Sequence, residues 1–487
     1  MIALSSLENK IKQMKNKILA FALVVMALLP SCEKYTDITP TGAVILNSTE
    51  DYYRLVSFPN RAYFNGNFQY LVDDQWMREA DVIGQNKNIN IINFTFDEQA
   101  DRVSLLTAST FYERAYFYIN RWNTIISGID FTDGEQRIKD LAKAEAKILR
   151  AFDHFLLVNV YAKAYDPATA ATDGGICIMD KYDLEAKPKK STVEEVYRFI
   201  QKDIDEALPF LQENPAGPYH PNIAFGYALK AKVHLFKREI AQAKEAALKS
   251  LSYKDDIFDL VDYAQKGGPT AIAIVPPNNP EILSYMYMTG NTEMNFAYTN
   301  SISPELRNLF GNNDARFNLF FVSNSSGLAD VLAGSAYYNI RANRFFYGTV
   351  GLKTTEVHLM LAECYARENN FTDAVAILNK LRAKRILSGT VNLDVPETRK
   401  ATMELIVNER RKELLFGFNR FFDLKRLNNE PEYAKTLTRT YPVIRTDVPK
   451  QTYTLAPNSR LYIIPFPLNA MKLNPNLRLN TDEKLPF

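Results

Sequence analysis

The chain has 487 residues, 46% apolar and 23% charged, enough for a large core or two modest domains. A net charge of +2 gives no electrostatic argument for nucleic acid, and none is expected as a partner. Cys32, Cys177 and Cys364 have neither zinc-site nor CxxC spacing, which excludes the common structural-metal and redox motifs.

Met14-Lys15-Asn16-Lys17 is a short positive stretch, and Ile18–Leu29 is an unbroken apolar run of signal-peptide length, short for a membrane span. Leu29-Pro30-Ser31-Cys32 follows. A small residue before a cysteine at that point resembles a bacterial lipobox, with Cys32 lipidated as the mature N-terminus. The bland alternative is a plain secretory signal with an incidental cysteine. Met14 is a more typical start than Met1. Residues 1–32 are therefore expected to be the signal and 33–47, polar and aperiodic, a tether.

A helix is predicted from Ser48-Thr49-Glu50-Asp51 toward Tyr63. Phe64–Ala100 reads as a long polar loop carrying Asp74, Trp76 and Asn86, either a binding surface or a loop plugged onto the scaffold by Trp76. Leu105–Ile129 and Glu135–Tyr161 are amphipathic helices. His154 on the second is read as structural rather than catalytic. Thr192 and Glu195 form a capping box for a helix running to Leu211.

Asn222–Leu251 and Thr354–Arg385 each read as a helical hairpin. Ala231, His234, Ala243, Ala247 and Ser250 hold the same offsets as Ala362, Tyr365, Ala374, Leu378 and Leu381. Small residues on facing stripes let paired helices approach closely. The pattern is that of a tetratricopeptide repeat, whose period is roughly 34 residues. The copies stand 131 residues apart, so they are not tandem neighbours in sequence. Cys364 is read as a small buried hydrophobe.

Between them, 252–352 holds loops and short strands with Tyr285, Asn295, Tyr298 and Arg341. Rings beside amides and guanidinium groups suit sugars and also peptide grooves. In Glu397–Leu427 a helix is predicted to end near Gly417, with a short helix around Asp423. Glu409, Arg410, Glu413, Arg420 and Asp423 are read as half-buried ion pairs rather than an acid–base site. The tail after Leu461 is extended and Pro-punctuated, and is expected to wrap over the fold.

Several blocks, in order, resemble the SusD/RagB family of Bacteroidetes outer-membrane lipoproteins. They are LPSC, LRAFDHFLLVNVYAKAY, STVEEVYRFIQKDIDEALPFL, SPELRNLFGNNDARF, NERRKELLFGFNRFFDLKRL and IIPFPLNAMKLNPNL. Ala162, Phe418 and Asn469 depart from the family's usual residues. The resemblance implies an all-α-dominated fold, a TPR-like scaffold of helical hairpins with irregular insertions. Its N-terminal region is 48–251, its insertion and candidate ligand face 252–352, and its C-terminal region 353–487.

The resemblance also implies a lipid-anchored outer-membrane protein, facing the cell surface, that captures glycan, or in some branches peptide, for a SusC-like TonB-dependent transporter. It implies no enzyme activity and no cofactor. The expected ligand contacts are Asp74, Trp76, Asn86, Tyr285, Asn295, Tyr298 and Arg341. Two other readings compete: a TPR adaptor without a small-molecule ligand, and a hydrolase. The hydrolase lacks HExxH, GxSxG and P-loop motifs, and the four histidines have no metal-like spacing.

Overall fold

A computed structural model of the chain describes residues 46–486 apart from 58–60, 65, 85–86, 184, 290–299, 324–335 and 339–345, together with Met14 and Asn16. Helix α1 (Thr49–Arg54) starts where the sequence places it. Ser48 Oγ accepts from the Asp51 N–H, and the Asp51 carboxylate accepts from the Ser48 N–H at 3.0 Å. It ends at Arg54, short of Tyr63. Ala62–Phe64 is strand β1 instead.

Helices α2 (Thr110–Gly128), α3 (Gln136–Tyr161) and α4 (Val193–Ala207) pack in sequence order. Thr192 and Glu195 make the reciprocal cap of α4. Arg150 in α3 joins all three: it donates to both Asp203 oxygens in α4 at 2.7 and 2.8 Å, and to Asn123 Oδ1 in α2 at 2.7 Å. His154 is structural. Its Nδ1 donates to the Arg150 carbonyl at 2.8 Å, its Nε2 accepts the Met179 N–H, and burial holds its pKa at about 3.

The repeat pairs are α5 (Ile223–Lys237) with α6 (Ile240–Tyr253), and α7 (Thr354–Arg367) with α8 (Phe371–Arg382). Their correspondence extends to the turns: Arg238 and Asn369, at equivalent positions, both adopt φ +64°. Ala231, Ala243, Ala247 and Ser250 are buried, as are Ala362, Ala374, Leu378 and Leu381. Helix α6 packs directly on α7. The copies separated in sequence are thus neighbours in space, and the irregular segment leaves from and returns to one junction.

Helix α9 (Arg399–Glu413) ends before Gly417, and α10 (Asn419–Asn428) follows. Phe416 and Gly417, at φ +64° and +79°, make the left-handed turn between them; Gly417 is part of that turn rather than the cap. The charges of this region are buried ion pairs. Arg410 meets Asp423 at 2.8 Å, Arg316 meets Glu409 and Glu413 at 2.7 and 2.9 Å, and Arg385 joins Glu413 to Glu281.

Short strands are added to this frame. β1 pairs in parallel with β3 (Tyr287–Thr289), and β2 (Gln75–Met77) pairs antiparallel with β4 (Asn300–Ile302), Trp76 opposite Ser301. β5 (Phe321–Ser323) pairs with β6 (Ala336–Tyr338), and β7 (Leu437–Tyr441) with β8 (Gln451–Leu455). The insertion also holds single-turn helices, Pro304–Leu309 and Ala315–Phe320. The main core runs through α2–α6 and takes in Phe421, Leu461 and Phe466 from the C-terminal part. The tail wraps back as expected, with Arg102 held by Glu483 at 2.8 Å. Among the described residues no helix is long and apolar enough to cross a membrane.

Candidate functional site

The polar stretch after β1 is anchored on both sides. On the frame side, Arg420 makes two bonds of 2.7 Å to Asp73, and Arg411 meets Asp74 at 2.7 Å and Glu305 at 2.7 Å. Burial opposes ionisation of Asp73, but Arg420, Arg411 and Lys435 outweigh it and hold its carboxyl well below the usual range. Burial pushes the neighbouring Asp74 carboxyl up, with Arg411 opposing and the Asp73 charge adding. Asp74 is 3% exposed and serves this ion cluster, so the expectation that it meets a ligand gives way to a structural role.

On the other side the stretch is clamped by the β7–β8 hairpin. Among the described residues Arg439 has no carboxylate partner. It donates to the carbonyls of Tyr70, Val72 and Phe94, and its guanidinium lies 4.0 Å from the Phe94 ring centroid and 4.4 Å from that of Phe96. Burial lowers its pKa to about 10. Tyr441 Oη donates to the Met77 carbonyl at 3.0 Å. The buried Glu79 carboxylate accepts the backbone N–H groups of Val443, Ile444 and Arg445 from the hairpin loop.

Trp76 is half-buried and stacks on Tyr441, centroids 4.6 Å apart and rings inclined by 30°. Tyr441, but not Trp76, also lines an open groove of about 760 Å³, within the size range of small-ligand sites. Its walls come from residues 82–99 and 441–454. Tyr441, Tyr453 and Phe96 supply rings; Thr95, Thr452 and Gln451 supply hydroxyl and amide groups. Tyr453 Oη donates to Gln451 Oε1 at 3.1 Å, and the Thr440 and Thr452 hydroxyls meet at 3.0 Å across the hairpin. Rings and neutral hydrogen-bonding groups on a rigid backing can hold a polyhydroxylated ligand with apolar faces. Among the described residues no group of three or more His, Cys, Asp or Glu could hold a metal ion.

Of the expected ligand contacts among the described residues, none lines this groove; Trp76 reaches it only through Tyr441, on which it stacks. Tyr285 is buried, its ring edge-on to Tyr219 at 6.0 Å and its N–H on the Pro218 carbonyl. Asn86, Asn295, Tyr298, Arg341 and the lipidation candidate Cys32 lie outside the described residues. Among the described residues, none of the groove's lining comes from the 252–352 insertion. The hairpin, with Tyr441, Tyr453 and Gln451, is absent from the sequence reading. Its signal is the alternation in Leu-Thr-Arg-Thr-Tyr, buried and exposed by turns.

Residues 63–235 match a SusD-like family described as starch-binding and associating with the outer membrane, and residues 348–482 match the SusD family. The two matches cover well over half of the chain. The chain belongs to the SusD family.

A curated relative, SusD-like protein P2 of Formosa agariphila, is 23% identical over 393 residues, 71% of this chain and 75% of that protein. The SusD fold is shared with solved structures. A SusD-like carbohydrate binding protein from Bacteroides vulgatus has a TM-score of 0.65 at 20% identity, covering 90% of this chain and 99% of the other. Surface glycan-binding protein A from Bacteroides uniformis has a TM-score of 0.63 at 15% identity, covering 89% and 98%. The family is a carbohydrate-binding class associated with the outer membrane.

Proposed function

We propose that this SusD-family protein is a non-catalytic glycan receptor. It is anchored in the outer membrane through acylated Cys32, faces the cell surface, and passes oligosaccharide to a SusC-like TonB-dependent transporter. The observation that carries the binding role is the groove lined by Tyr441 and Tyr453, with Trp76 stacked on Tyr441 and the hairpin held by Arg439 and Glu79. Hydrogen bonds from Arg439 and Glu79 tie the groove's two walls together, which lowers the ordering cost of binding. Rings in such a groove contribute about 1 kcal/mol per good stacking contact beyond area burial. Affinity is therefore modest, and delivery relies on tethering beside the transporter to raise effective concentration.

Titration of the purified chain against oligosaccharides and peptides tests the reading. Tyr453→Ala removes the groove's half-buried ring and Trp76→Ala its backing; each is expected to weaken oligosaccharide binding about fivefold or more. Melting temperatures close to the parent's would separate this from unfolding. Unchanged affinities in both variants, or retention of peptides alone, would displace the glycan groove.

A further inference from the structure

The ionisable groups of the groove narrow the ligand's class, and this step rests on the glycan reading above. The charged lining residues are Lys87, Asp97 and Glu98. Lys87 Nζ lies 3.1 Å from Asp97 Oδ2, so the one lining cation is already paired. Glu98 accepts the Ser459 hydroxyl on its side chain and the Arg460 guanidinium on its carbonyl. Arg460 also meets Asp482 at 3.2 Å. In the hairpin loop Arg445 is held by Asp447 at 2.5 Å, and Lys450, between Pro449 and Gln451, does not itself line the groove. Among the described residues the groove thus presents two carboxylates against one paired ammonium.

A sulfate or uronate entering there would shed its water with no guanidinium fork or unpaired lysine among the described lining residues to replace it, facing carboxylates of its own sign. A neutral sugar meets no such barrier. Its hydroxyls find Thr95, Thr452 and Gln451, and its apolar face finds Tyr453. We infer that the groove selects uncharged oligosaccharides and discriminates against uronate-containing and sulfated ones.

The test is calorimetry on the full-length protein with matched sets of four- to six-unit oligosaccharides, each neutral chain beside its uronate and sulfated counterparts. A neutral chain is expected to bind about tenfold or more tighter than its anionic partners, with little change as NaCl is raised, because no ion pair forms to be screened. Asp97→Asn keeps an acceptor for the Gln99 N–H and frees Lys87, so the neutral-to-anionic affinity ratio should narrow at least about threefold. Anionic chains binding as well as neutral ones, or a ratio unmoved in a folded Asp97→Asn, would overturn the selectivity and leave the glycan groove standing. No oligosaccharide bound by a folded protein would remove both.

Discussion

Arg439 shows how one side chain can set a binding surface it does not line. Among the described residues it is buried without an ion-pair partner, held between two phenylalanine rings, and its donors go to three carbonyls of the opposite segment. Replacing it with methionine would leave those carbonyls unsatisfied, and each buried orphan costs about 1–3 kcal/mol. Arg439→Met is therefore expected to lower the urea midpoint by an amount equivalent to about 3 kcal/mol or more. Glycan affinity should fall as well, because the hairpin carrying Tyr453 loses its seat. Lysine carries a point charge rather than a planar fork, so Arg439→Lys should recover little of either. A midpoint within about 0.5 kcal/mol of the parent's would show that the clamp is dispensable.

The paired helices were legible from sequence because their small residues repeat at helical spacing. The same equivalence makes a test. Ala243 and Ala374 occupy matching positions, and both are fully buried. Leucine at either overpacks a helix–helix seam, at about 1–3 kcal/mol. Ala243→Leu and Ala374→Leu should therefore lower the urea midpoint by similar amounts; one neutral and one damaging substitution would mean the copies pack differently. The groove was not legible. Its walls stand some 350 residues apart in the chain, and their register depends on Glu79 reaching Val443–Arg445 and on Arg439 reaching Tyr70–Phe94. No local periodicity encodes such contacts. Asp74 and Tyr285 were singled out by residue type alone, and type does not tell a solvent-facing acid from one buried against Arg411. For α9, the helical pattern ran on to Gly417, whereas Glu413 ends the helix tied to Arg316 and Arg385.

Over the whole molecule, these ion pairs lie at junctions between elements, and their titration sets the response to pH. Burial opposes ionisation of Glu363, Glu409, Glu413, Asp423 and Asp73, yet arginines and lysines beside them win and depress each carboxyl. A depressed carboxyl stabilises the fold above its unfolded value near 4, and that contribution is lost as pH falls through the folded one, on the order of 1–3 kcal/mol per group. His154 acts in the same direction. Held at about 3, it stays neutral in the fold while the unfolded chain takes up its proton below about 6.5. Lys425, drawn down to about 7 by burial, extends the slope upward, since between about 7 and 10.4 the unfolded chain holds the extra proton. Glu145, Asp203 and Asp74 oppose it: burial raises their carboxyls, so the fold takes protons before the unfolded chain does. The groups on the first side are more numerous, and their combined losses are of the same order as a fold's total stability, about 5–15 kcal/mol. The urea midpoint is therefore expected to fall steadily from pH 7 to pH 3, with cooperative unfolding by about pH 3. Buried pairs are screened weakly, so 0.5 M NaCl should move this profile little, whereas surface pairs would respond. A midpoint level between pH 6 and pH 3 would mean that the junction carboxylates are not the charged partners their arginines require.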